Sequence, residues 1–166
     1  VTDEVRFLDP ELLVAWLQCR EEGVWNAWAE VSVPKQEEVC RQVWKEAKLL
    51  LLPIWAAGAG QGEEHWTLVA LQRGTEAGVV QVRYYDTLAG PASLYNISAA
   101  EAVLQMLGVE GGLPPRRNRS KQGQVQCGFG VIWYSEEEIR QFQGEGFGSR
   151  GFLKREKFFE VRRSLH

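Results

Sequence analysis

"HWTLVALQRGTEAGVVQVRYYD", residues 65–86, decides the fold class. Its two ends are rich in β-branched and aromatic side chains, which suit a pleated, half-buried surface. Its middle, Arg73 to Gly78, is turn chemistry. The stretch therefore predicts a β-hairpin. Upstream, "LLLLPIWA" at 49–56 is a continuous apolar run of the kind that forms a buried strand. The three segments predict one largely antiparallel sheet.

Helical patterns flank that sheet. "DPELLVAWLQCREEG" at 9–23 has Asp9 as N-cap, Pro10 at the first helical position and Gly23 as a stop. Leu12, Leu13, Trp16 and Cys19 recur on one face, so Cys19 is expected in the core. "PKQEEVCRQVWKEAK" is expected to start a second helix at Pro34, with Val39, Cys40, Val43 and Trp44 on its apolar side. "SAAEAVLQMLG" predicts a helix capped by Ser98, with Glu101 completing a capping box. "CGFGVIWYSEEEIRQF" at 127–142 is ambiguous: its aromatic and β-branched start suits a strand, its glutamates a helix. Trp133 and Tyr134 are expected in the core, and "FLKREKFFEVRRSL" near the C-terminus is expected to be helical. Helices, then strands, then helices predict an α+β fold rather than a βαβ repeat.

Composition bounds the function. The chain has 166 residues, 45% of them hydrophobic and 25% charged, which fits one globular domain. A net charge of −3 argues against a domain built mainly to hold nucleic acid. The 3 cysteines leave one over in any pairing, so free thiols and a reducing compartment, cytoplasmic or nuclear, are expected. No signal peptide is visible, and the apolar run at 49–57 is too short to span a bilayer, so no membrane partner is expected. The chain starts at Val and is expected to be a single domain, residues 1–166, cut from something longer. Two sequons, at Asn96 and Asn118, are of a kind that arises often by chance.

Histidine scarcity narrows the chemistry. Of 2 histidines, His166 is terminal, which leaves His65 as the candidate base. If the hairpin forms, the start of one strand meets the end of the next, and Asp86 lies beside His65. A carboxylate there fixes the tautomer of an imidazole. If 127–142 is a helix, Cys127 lies at its N-terminus, where backbone N–H groups favour a thiolate. Gln122 or Gln124 can offer a side-chain amide to an oxyanion, and the backbone N–H groups of Cys127 and Gly128 can add to it. No zinc site is expected, since neither histidine count nor cysteine spacing suits one. Against this stands the ordinary role of a lone cysteine as a small, inert hydrophobe.

In order, these residues resemble the ubiquitin-like-protein-specific cysteine proteases of the Ulp/SENP type, peptidase clan CE. "LLLPIW" at 50–55, "HWTLVAL" at 65–71, "VRYYDTLAG" at 82–90 and "KQGQVQCGFGVIWY" at 121–134 carry the likeness, which covers roughly half the chain. The resemblance implies a papain-like core with a mostly antiparallel sheet and the cysteine at the N-terminus of a buried helix. It implies Cys127 as nucleophile, His65 as general base and Asp86 as its orienting group. Where the family places its oxyanion glutamine stands Lys121. Gln122 is preferred after a one-residue shortening, with Gln124 the other choice. The resemblance makes Trp66 one wall of a channel for a Gly-Gly tail, with Trp16, Trp25 or Trp28 as the second. Implied partners are a ubiquitin-like modifier, of SUMO or NEDD8 type, and its conjugates. No cofactor is expected, and the chain is expected to be a monomer. Two other functions fit the scaffold: an effector-type acyltransferase, for which no coenzyme A motif is visible, and a non-catalytic modifier-binding module. The basic stretch "PPRRNRSK" at 114–121 is either a solvated loop or a surface for nucleic acid or an acidic modifier.

Overall fold

The computed structural model describes residues 4–21, 27–57, 64–86, 94–117 and 127–144. They form an α+β domain of four strands and four helices. In chain order these are β1 (Val5–Phe7), α1 (Pro10–Glu21), α2 (Ala27–Glu46), β2 (Leu49–Ala57), β3 (Glu64–Arg73), β4 (Val80–Asp86), α3 (Leu94–Met106) and α4 (Cys127–Phe142). The sheet runs β1-β2-β3-β4, with β1 parallel to β2 and the other pairs antiparallel.

The expected hairpin is present. Gly74 N–H donates to Val79 O at 2.8 Å, and Gly78 turns the chain at φ +83°, a conformation that favours glycine. Pro53 sits inside β2 without breaking a ladder. β1 pairs only with Leu49 to Leu51, so beyond Leu51 that side of β2 needs no donor among the described strands.

Period-2 alternation sorts the strand side chains onto two faces. Leu50, Leu52, Ile54, Val69, Leu71 and Tyr84 face one core, shared with α1, α2 and α3. Leu49, Leu51, Leu68, Ala70 and Tyr85 face another, closed by Val131 and Tyr134 of α4. The sheet is thus buried on both sides, which explains why β2 reads as an unbroken apolar run. Asp9 caps α1 as expected, its Oδ1 accepting from Glu11 N–H at 2.9 Å.

Several expectations are corrected. α2 starts upstream of Pro34, which lies inside it. The helix forgoes one backbone donor there and continues, held further along by Cys40 and Trp44 in the core. Val39 is exposed rather than on the apolar face, and Cys19 is half-buried rather than core. α3 begins at Leu94, so Ser98 lies within it and caps nothing. Asn96 explains the earlier start: its buried side chain donates to the His65 carbonyl at 3.1 Å and ties the first turn to β3. That burial also leaves Asn96 no room for a sugar. Tyr134 is buried, whereas Trp133 is half-buried at the edge of the α4-side core. Gly23, the sequon at Asn118 and the C-terminal "FLKREKFFEVRRSL" lie outside the described residues.

Candidate active site

The register explains why His65 and Asp86 meet. Thr67 lies directly opposite Asp86 across the β3–β4 ladder. His65 precedes Thr67 on the same face, so it is the diagonal neighbour of Asp86. The two side chains meet at 2.6 Å, His65 Nε2 to Asp86 Oδ1, and both residues are buried. An ionised carboxylate only accepts, so Nε2 carries the hydrogen. Proton transfer to and from any other group then falls to Nδ1.

The backbone under this pair is held from two sides. On one, Asn96 of α3 binds the His65 carbonyl. On the other, Arg117 N–H donates to Tyr84 O at 2.7 Å, in a parallel bridge between Arg117 and Tyr85. That bridge lays part of the basic stretch along β4, and Arg116 Nη1 comes to 3.9 Å from Asp86 Oδ2. So 116–117 is not simply a solvated loop. Beside the pair, burial and the Asp86 charge push the Tyr84 hydroxyl above its usual range and keep it protonated.

Cys127 is the first residue of α4, and Gly128 follows in the first turn. The segment after Cys127 is therefore helix, which resolves its ambiguity. The thiol position, Gln122 and Gln124 lie outside the description. The other thiols have different settings. Cys40 is fully buried, and burial, aided by the Glu37 charge, pushes its pKa up to about 11. It stays protonated at neutral pH and is a poor nucleophile. Cys19 is half-buried on α1.

Sequence reasoning missed what holds α4. Arg83 grips Glu138 with two bonds, Nε to Oε1 at 2.7 Å and Nη2 to Oε2 at 2.5 Å. Tyr85 O–H also donates to Glu138 Oε1, and Gln72 and Gln81 accept from the far side of the guanidinium at 2.9 and 3.2 Å. Burial opposes the Arg83 charge, but the Glu138 carboxylate outweighs it and holds the guanidinium protonated. Tyr85 stacks on Tyr134, with ring centroids 4.5 Å apart. The strand that ends in Asp86 and the helix that starts at Cys127 are thereby fastened together. An Arg and a Glu far apart in sequence gave no signal of this; only the helix assignment of 127–142 would have put Glu138 opposite β4.

Trp66 is half-buried and packs against the α4-side core. Its cross-strand partner is Trp55, on the same face. Trp16 is not a second wall. It is buried on the opposite side of the sheet, its Nε1–H donating to Glu37 at 3.1 Å. Trp25 and the Trp28 side chain lie outside the description. Among the described residues no helix is long and apolar enough to cross a membrane, and no group of three or more His, Cys, Asp or Glu residues is placed to hold a metal.

Comparison with known proteins bears on the fold. The chain is similar to the solved structure of a cysteine-to-alanine mutant of Xanthomonas XopD, with a TM-score of 0.63 and 14% identity over 99% of this chain and 85% of that one. At that identity the likeness is one of fold. No family model and no curated protein matches the sequence.

Proposed function

We propose that this domain is a thiol peptidase of the ubiquitin-like-protein-specific type, cleaving after the C-terminal Gly-Gly of a SUMO- or NEDD8-type modifier. The observation that carries the reading is the buried His65–Asp86 pair, joined at 2.6 Å at the sheet end. The start of α4 at Cys127 and the fold likeness to XopD support it.

In this mechanism Asp86 holds His65 in the tautomer that leaves Nδ1 to accept the Cys127 proton. The Cys127 thiolate attacks the carbonyl carbon of the terminal glycine. Gln122, with Gln124 as the other choice, and the N–H groups at Cys127 and Gly128 stabilise the oxyanion. The C–N bond breaks, His65 gives its proton to the leaving amine, and a thioester remains. Water then attacks that thioester while His65 takes its proton, and the thiolate leaves. The acid form of the modifier is the product. Trp66 forms a wall over the tail, where only side chains as small as glycine fit.

Cleavage of modifier precursors and isopeptide conjugates tests this. Processing by the wild type, lost in Cys127→Ala and His65→Ala, is the expected result. Transfer of an acetyl group from acetyl-coenzyme A with no cleavage would assign the scaffold to acyl transfer instead.

A further inference from the structure

We propose that Arg116 is a positioning residue for the His65–Asp86 pair: its guanidinium balances the second carboxylate oxygen and depresses the basicity of the imidazole. The catalytic meaning rests on the peptidase reading above; the electrostatic claim does not.

The two oxygens of Asp86 face two different groups, an imidazole and a guanidinium. Oδ1 meets His65 Nε2 at 2.6 Å, and Oδ2 lies 3.9 Å from Arg116 Nη1. The second distance is a charge contact, too long for a hydrogen bond. Asp86 is fully buried, and a carboxylate there loses its hydration. Arg116 offsets that loss with the positive charge of its guanidinium.

The placement of Arg116 is built by the backbone. The Arg117 N–H bond to Tyr84 O and the Arg117–Tyr85 bridge set the register of the segment against β4. The Arg116 side chain is 24% exposed, although its stretch reads in the sequence as a solvated basic loop. Among the described residues the titratable and charged neighbours of Asp86 include His65, Tyr84 and Arg116. Thr67 of β3 and Asn96 of α3 add neutral polar groups. Tyr84 stays neutral, and Arg116 brings a guanidinium charge to this group.

The sign follows from charge alone. A fixed cation disfavours imidazolium and favours thiolate and carboxylate. Removing it raises the pKa of each of these acids. The ring titration of His65 and both limbs of the activity profile then move to higher pH.

The experiment is ring-nitrogen NMR titration of His65 in the wild type, Arg116→Met and Arg116→Lys. The chain has only 2 histidines, so His166→Gln assigns the signals. The expected result is a midpoint raised by ~0.5 pH unit or more in Arg116→Met, with most of the shift undone in Arg116→Lys. An unchanged midpoint in folded Arg116→Met, checked by circular dichroism, would overturn the proposal. A structural role alone would lower Tm without moving the midpoint, and counts against it equally. If the wild type cleaves no modifier, the peptidase reading falls while the titration still decides the role of Arg116.

Discussion

Asp86 and Cys40 are both fully buried, yet burial has opposite chemical outcomes at the two residues. Asp86 has His65 and Arg116 within charge range, which favour its ionised form. Cys40 has Glu37 nearby, which reinforces burial and keeps its proton on. On the proposed mechanism, Asp86→Asn keeps the volume but removes the charge and the acceptor that fixes the imidazole. We expect kcat to fall by ~10³–10⁴-fold, with Tm changed far less, measured on a modifier precursor. Alkylation of the native protein at pH 7.5, mapped by mass spectrometry, should leave Cys40 unmodified until denaturant is added. Rapid native labelling of Cys40 would contradict its placement. The His65–Asp86 meeting was legible in the sequence, because a hairpin with period-2 alternation brings the start of one strand to the end of the next. Arg116 was not, since its position depends on a backbone bridge between distant segments that no local pattern encodes.

At the scale of elements, the fastening of α4 to β4 is the main device. Arg83 and Glu138 form a buried, bidentate pair with Tyr85 as a third member. Removing one partner strands a charge, so Glu138→Gln or Arg83→Met should each cost about 3–5 kcal/mol, read from denaturant midpoints. The double variant Arg83→Met/Glu138→Leu should recover much of that loss. Equal, additive losses would show that the pair does not act as a unit. Element types were legible where composition and periodicity agreed, as in β2, β3 and β4. The start of α1 at Pro10 behind the Asp9 cap was legible too, but the starts of α2 and α3 were not. Pro34 and Ser98 are good local start signals, but tertiary contacts decided otherwise: α2 runs through its proline, and α3 starts early with Asn96 bound to the His65 carbonyl. Ambiguity after Cys127 was of the same kind. The Glu138 anchor and the packing of Val131 and Tyr134 on the sheet settle it as helix.

Among the described residues, helices cover both faces of the sheet, and groups that ionise at high pH are buried in the domain. Folding binds the Cys40 proton more tightly, since its pKa rises from 9.0 to about 11. Burial raises Tyr84 and Tyr85 as well, with the Asp86 charge adding at the first and the Glu138 bond at the second. The Cys40 contribution is complete below pH 9.0 and falls as pH rises towards 11, and the tyrosine contributions start to fall above pH 10.0. Each group costs about 1.4 kcal/mol per pH unit in its window. Denaturant midpoints should therefore be lower at pH 10.5 than at pH 8, and a flat profile would contradict the burial of these groups. Layer order was legible only in part, because Trp16 and Trp66 read alike in sequence but lie on opposite faces. The central claim concerns Cys127, and capture by SUMO-, NEDD8- and ubiquitin-type probes ending in a Gly-Gly electrophile tests it most directly. We predict a covalent adduct with one of these modifiers, mapped by mass spectrometry to Cys127 and abolished in His65→Ala; a folded domain that captures none of the probes, or an adduct on Cys19 or Cys40 instead, would contradict the account.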